Sequence, residues 1–298
     1  MEESTILLKN EKNSLPLKKK TGMNILVLGN QAASPTLHGT GSGQIGENYI
    51  YTPLDAICDE MGVPRISGWF PKGKQCNSET GNCVSYNGFP KTNGKFFGEK
   101  EKIFENEEEM LKEMATEEFD TTIIFQGLSS GEGFDRKTLD WDQTVFKYLS
   151  KISHPGTIVG CMISPGPILT TNMRKFADSI VLNIFPGQQY SSAIMNVLFG
   201  RSNPSGKLTF TMPNIDKEQK KTSSQFPGDD HGWNSQYTEK HHFGYRWYDQ
   251  YNVTPAFEFG HGLSYTSFDV SDFKFDAQSL TVTASLRNTG KVAGSEIL

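Results

Sequence analysis

Thr121-Thr-Ile-Ile-Phe-Gln-Gly-Leu-Ser-Ser-Gly-Glu-Gly-Phe-Asp-Arg136 is the stretch from which the fold can be read. Residues 121–125 form a short apolar, β-branched and aromatic run, the pattern of a strand buried on both faces. Gly127 breaks it. The loop that follows holds one carboxylate, Glu132, between Gly131 and Gly133. In open α/β sheets ligands bind beyond the carboxyl ends of the strands, so a carboxylate placed there is a candidate reactive group.

The same grammar repeats outward from this stretch. Met23-Asn-Ile-Leu-Val-Leu28 is a short apolar run ending at Gly29. Thr157-Ile-Val-Gly-Cys-Met-Ile163 ends at Ser164-Pro-Gly-Pro167, and Ser179-Ile-Val-Leu-Asn-Ile184 ends at Phe185-Pro-Gly187. Helical patterns lie between. Thr52-Pro-Leu-Asp55 opens one, with Thr52 as cap, Pro53 at the first helical position and Asp55 at the positive end of the dipole. Gly62 stops it. Trp141, Val145, Tyr148, Leu149 and Ile152 repeat at helical spacing, a short helix is expected around 172–177, and Tyr190, Ala193, Ile194, Val197 and Leu198 mark an amphipathic helix ending at Gly200. Strands alternating with helices predict an α/β fold, a mostly parallel sheet sandwiched by helices. The four clear strand ends then share one rim, the default place for a site.

The flanks read differently. Residues 3–20 suggest a linker helix followed by a turn. Residues 63–98, rich in Gly, Pro, Asn and Lys, suggest an irregular surface excursion with a hairpin; 98–119 suggest an exposed helix with a thin stripe of Met110, Leu111 and Met114. In Leu208-Thr-Phe-Thr-Met212 apolar and polar residues alternate, as in a half-buried or edge strand. Residues 214–265, with Trp233, Tyr237, Tyr245, Trp247 and Tyr248, read as an extended arm. From Phe268 the pattern alternates again, as in about three strands of an all-β domain, too few to close a sandwich. The units are therefore 1–20, 21–213, 214–265 and 266–298, and the sequence reads as cut at both ends.

Composition limits the function classes. The 298 residues are 36% hydrophobic and 21% charged, with 20 Phe and 10 Tyr, enough for a sizeable core and suited to handling ring faces. A net charge of -5 argues against a nucleic-acid partner. No apolar run reaches the length of a membrane span. The first residues lack the basic region and apolar core of a signal peptide. Cys58 and Cys161 fall in a predicted helix and strand and read as inert core thiols. Cys76 and Cys83 flank a polar loop; a short disulfide is the natural reading, two free thiols the alternative, and the disulfide favours an oxidising compartment, secreted or lysosome-like. Asn252-Val-Thr254 fits a glycosylation acceptor.

Three chemistries compete for the loops. Gly41-Ser-Gly43-Gln-Ile-Gly46 matches a dinucleotide fingerprint, but a dozen residues separate it from its strand and Pro53 opens the helix well after Gly46. Gly127-Leu-Ser129-Ser-Gly131 matches a serine-hydrolase elbow, which needs a helix at once after the serine. Here turn residues follow, and the bases on offer, His154 and His261, lie in unpersuasive contexts. The third reading makes Glu132 the reactive group, with flanking glycines allowing close approach to a substrate and Asp135-Arg136 supporting the loop by an ion pair. Glycoside hydrolysis needs two carboxylates, and no second one stands in a comparable setting. His231, His241 and His242 have no zinc spacing, so no metal site and no cofactor is expected.

Seven blocks, in order, resemble one family: Glu3-Ser-Thr-Ile-Leu-Leu-Lys-Asn10 with Leu15-Pro-Leu17; Gly41-Ser-Gly43 with Thr52-Pro-Leu-Asp55; Ser130-Gly-Glu-Gly-Phe-Asp-Arg136; Pro186-Gly-Gln188 with Val197-Leu-Phe-Gly200; Asn203-Pro-Ser-Gly-Lys-Leu208; Gly244-Tyr-Arg-Trp-Tyr-Asp249; and Phe257-Glu-Phe-Gly-His-Gly-Leu-Ser-Tyr265. The chain resembles the C-terminal half of glycoside hydrolase family 3, the β-glucosidases and β-xylosidases. The resemblance implies an α/β sandwich domain, an arm, and the truncated start of a fibronectin type III-like domain. It implies Glu132 as catalytic acid/base and Ser42 as a sugar contact. The nucleophilic aspartate would come from an N-terminal barrel that this chain lacks, leaving the chain inactive alone. The implied substrate is a β-linked oligosaccharide or an aryl or alkyl β-glucoside, hydrolysed with retention. A neighbouring carboxylate would raise the pKa of Glu132 until the glycosyl-enzyme forms. A β-xylosidase of the same family and a non-catalytic glycan-binding fragment are the alternatives.

Overall fold

The structure, a computed structural model, describes residues 1–46, 49–62, 95–97, 112, 115–116 and 118–297. Its centre is a six-stranded sheet built from β1 (Ile6–Asn10), β2 (Ile25–Leu28), β3 (Lys95–Phe97), β4 (Thr121–Gly127), β5 (Thr157–Ser164) and β6 (Ser179–Ile184). The order is β1-β6-β5-β4-β2-β3. The four inner strands are mutually parallel, while β1 and β3 close the two edges antiparallel.

Side chains alternate across the sheet and feed two cores. Ile25, Val27, Ile123, Phe125, Val159, Cys161, Ile163 and Val181 face one side. They pack there with α1 (Pro53–Met61), through Leu54, Ile57 and Cys58, and with α4 (Tyr190–Leu198), through Tyr190, Ile194 and Leu198. Leu26, Leu28, Ile124, Met162, Ile180 and Leu182 face the other side. They meet α2 (Thr144–Leu149) and α3 (Thr171–Phe176) through Val145, Tyr148, Leu149 and Met173. Each fully buried aliphatic or aromatic side chain contributes roughly 1.5–3 kcal/mol, so the two cores supply the main driving force. The sandwich expected from the alternating pattern is present.

Helix α1 starts as its sequence dictates. Thr52 Oγ1 accepts from the Asp55 amide at 3.0 Å, and the Asp55 carboxylate accepts from the Thr52 amide at 3.0 Å, a reciprocal cap. Gly62 ends it in the left-handed conformation, at φ +70°.

The helix expected over residues 3–20 is not formed. Its first part is β1, paired antiparallel with β6, with Leu7 in one core and Ile6 and Leu8 in the other. Consecutive apolar residues suit an edge strand whose two faces are both covered. Nor is 208–212 a strand of the sheet: Leu208 and Met212 are buried, but their backbones pair with residues 256–261. Residues 214–265 carry little regular structure beyond short turns and α5 (Tyr245–Tyr251). The arm is pinned by a few contacts, among them Tyr248 Oη donating to Glu218 at 2.7 Å and Tyr265 Oη donating to the Val197 carbonyl at 2.9 Å. Then β7 (Phe268–Asp276) and β8 (Thr281–Asn288) form an antiparallel hairpin with Phe273, Phe275 and Val282 exposed. Two strands stand where about three were expected, and a hairpin does not by itself define a fibronectin-type sandwich. The hairpin and helix expected between 63 and 119 lie outside the described residues, apart from β3 at one sheet edge.

Candidate active site

Four loops leave the C-terminal rim of the parallel strands and are joined largely by main-chain bonds. Gly29 turns the chain after β2 at φ +99°, where a Cβ would come within 1.9 Å of the Phe125 carbonyl oxygen. That loop continues through Leu37, whose carbonyl accepts from the Gly187 amide in the loop after β6 at 2.8 Å. The Leu128 amide in the loop after β4 donates to the Ile163 carbonyl of β5 at 3.0 Å. Residues 39–43 of the first loop then reach the stretch 130–134.

There Glu132 and Ser42, 90 residues apart in the chain, come into contact. The Ser42 amide donates to Glu132 Oε2 at 2.8 Å, and the Glu132 amide donates to the Thr40 carbonyl at 3.3 Å. The stretch 131–134 closes a turn in which the Phe134 amide donates to the Gly131 carbonyl at 3.1 Å and the Ser130 hydroxyl to the Phe134 carbonyl at 3.2 Å. Its glycines have separate duties. Gly133 adopts φ +70°, which side chains resist. A Cβ on Gly131 would lie 1.8 Å from Thr40 Oγ1. Gly41, at φ +72°, leaves the space that the Glu132 side chain crosses; a Cβ there would lie 2.6 Å from Glu132 Cβ. Both Glu132 and Ser42 are exposed to solvent. The Ser42 hydroxyl, followed by its amide, holds the Glu132 carboxyl below the usual glutamate range. An upward shift toward a proton donor needs burial of the rim or a further negative charge beside it, such as a second carboxylate.

The Asp135–Arg136 ion pair is replaced by another contact. Arg136 Nη1 donates to the Pro167 carbonyl at 2.6 Å, tying the Glu132 loop to the loop after β5. Partial burial lowers the pKa of its guanidinium. Thr40 and Pro167 were not among the residues singled out from sequence; both act through main-chain atoms or close packing, for which sequence carries no signal. Cys76 and Cys83 lie outside the described residues. Cys58 and Cys161 are fully buried, and burial pushes the Cys161 thiol far up.

The serine-elbow alternative loses its bases. His154 precedes β5 and pairs with Glu118 at the opposite rim. His261 shares a hydrogen bond with the Leu8 carbonyl at 2.8 Å, beside β1. No group of three or more His, Cys, Asp and Glu gathers among the described residues, and no helix there is long and apolar enough to cross a membrane.

A mixed sheet between two helical layers, with a carboxylate loop on its C-terminal rim, defines an α/β sandwich domain with a candidate site at the strand ends. The family model described as the glycosyl hydrolase family 3 C-terminal domain matches residues 5–265, and the chain belongs to this family. It is 31% identical to thermostable beta-glucosidase B of Acetivibrio thermocellus, covering 99% of this chain and 37% of that protein. It is 28% identical to an exo-alpha-(1->6)-L-arabinopyranosidase of Bifidobacterium longum, with the same two coverages. Among solved structures it is similar to beta-glucosidase 3B from Thermotoga neapolitana in complex with glycerol, with a TM-score of 0.72 and 27% identity over 98% of this chain and 41% of that one. These relatives are glycoside hydrolases, and the chain spans less than half of their length.

Proposed function

We propose that this chain is the acid/base half of a retaining β-glucosidase that releases terminal non-reducing β-D-glucosyl residues. The observation that carries the reading is the Glu132 carboxylate, held on the exposed rim by the Ser42 amide. Retaining hydrolysis uses two carboxyl groups across the scissile bond. In this reading an aspartate of a separate barrel domain attacks the anomeric carbon while Glu132 gives its proton to the departing glycosidic oxygen. Glu132 then takes a proton from water as the water attacks the glycosyl-enzyme. Ser42, beside Glu132, contacts the sugar, while Arg136 supports the loop from Pro167.

Removing the general acid costs about 10²–10⁴-fold where the leaving group needs protonation. In the complete enzyme Glu132→Gln is therefore expected to cripple hydrolysis of alkyl β-glucosides and to spare activated aryl β-glucosides. Equal loss on both sinks the assignment. The 298-residue chain expressed alone is expected to show no turnover, since it supplies one carboxylate of two. A pentopyranoside specificity is the second reading, favoured by the arabinopyranosidase relative; aryl xyloside and arabinopyranoside assayed beside aryl glucoside separate the two.

A further inference from the structure

The contact between the two rim loops is more than proximity. Glu132 is fixed at its main chain and at its carboxylate by the same three-residue segment, 40–42. Thr40 holds the Glu132 amide through its carbonyl and pairs with Gly131 as a parallel bridge. Two residues later the Ser42 amide reaches Oε2. The side chain between these anchors lies across Gly41, where no side chain fits. A solvent-exposed glutamate on a glycine loop would otherwise sample several rotamers.

We propose that residues 40–42 are a clamp that positions the Glu132 carboxylate, with Ser42 supplying the donors and Gly41 the space, so that Ser42 is a positioning residue for the acid/base as well as a neighbour of the sugar. This rests on the reading of Glu132 as the acid/base, and it deepens that reading in one respect. The carboxylate itself is met by the Ser42 amide, a group that can only donate, so the clamp favours the ionised form. Glu132 therefore waits on the rim in its base form. A second carboxylate brought against the rim then has to overcome the Ser42 donors before Glu132 can act as an acid.

The clamp can be tested without turnover. Glutamate-selective 13C labelling of the full chain, with Glu132→Gln to assign the signal, follows the Glu132 carboxyl through a pH titration. The wild-type midpoint is expected below those of the other exposed glutamates. Ser42→Ala removes the hydroxyl donor and raises the midpoint. Gly41→Ala pushes the side chain off the clamp and brings it to the ordinary range. Gly43→Ala, whose added Cβ meets nothing within 4 Å, leaves it at the wild-type position. A wild-type midpoint in the ordinary range overturns the proposal, as does an equal shift in Gly43→Ala. Should Gly41→Ala fail to fold, Ser42→Ala still decides. The clamp can fail while the leaving-group test still marks Glu132 as the acid, and it can hold while that test fails, so the two readings are separable.

Discussion

Asp120 occupies the rim opposite Glu132 and shows how a single carboxylate can join two strands. One of its oxygens lies 2.6 Å from Lys20 Nζ, and the other accepts from the Asn24 amide at 2.8 Å, just before β2. Lys20 and the Asn24 amide outweigh partial burial and hold its pKa below the usual aspartate value. A depressed folded pKa stabilises the fold above the unfolded value, about 3.9, and that contribution disappears as pH falls through the folded value. Lys20 is largely exposed, which keeps the effect modest. Asp120→Asn should therefore lower the urea midpoint at neutral pH, with the gap to wild type closing in acid. A gap independent of pH would leave the ion pair with no part in stability. At the C-terminal rim, Glu132 was singled out by its glycine-flanked loop and Ser42 by the family resemblance alone. Their contact was not, because nothing local in either motif points to a partner 90 residues away. The Arg136 anchor was misassigned for a related reason: an adjacent carboxylate is visible in sequence, and a distant carbonyl such as that of Pro167 is not.

Among the elements, the inner strands and α1 to α4 could be read directly, since each has a clear period and a Gly, Pro or Thr boundary. β1 could not. Ile6-Leu7-Leu8 has no polar residue to reveal alternation, and three apolar residues in a row fit a helix as well as a doubly covered strand. The choice is made by the neighbouring β6, to which β1 pairs. Leu7 is wholly buried in this strand, between the sheet and the helical layer of α1 and α4. Leu7→Ala should cost about 2–5 kcal/mol, read as a lower urea midpoint with an unchanged slope. A loss below about 1 kcal/mol, ordinary for a surface site, would show that β1 is not part of the packed sheet. The alternation of 208–212 misled in the opposite direction: its apolar residues are buried, but the arm's backbone supplies the hydrogen bonds that a sheet would.

For the molecule as a whole, the cysteines provide a measurement that reaches beyond the described residues. Cys58 and Cys161 are buried cysteines outside any disulfide. If Cys76 and Cys83 are paired, as we propose for a protein of a secreted or lysosome-like compartment, two thiols react after denaturation without reductant. All four react after reduction. Four reactive thiols before reduction would remove both the disulfide and the argument for an oxidising compartment. The fibronectin-like assignment of 266–298 rests on resemblance, because a two-stranded hairpin is common to many folds.

The rim loops are held to one another chiefly through backbone atoms: Gly187 to Leu37, Glu132 to Thr40, Leu128 to Ile163, and the Arg136 side chain to a carbonyl. A framework of that kind separates inheritance of shape from inheritance of chemistry. If the rim meets sugar as proposed, substitutions at its exposed positions alter which sugar is accepted while Glu132 stays in place, so a lineage built on this domain can change diet without rebuilding the loop that holds the proposed acid.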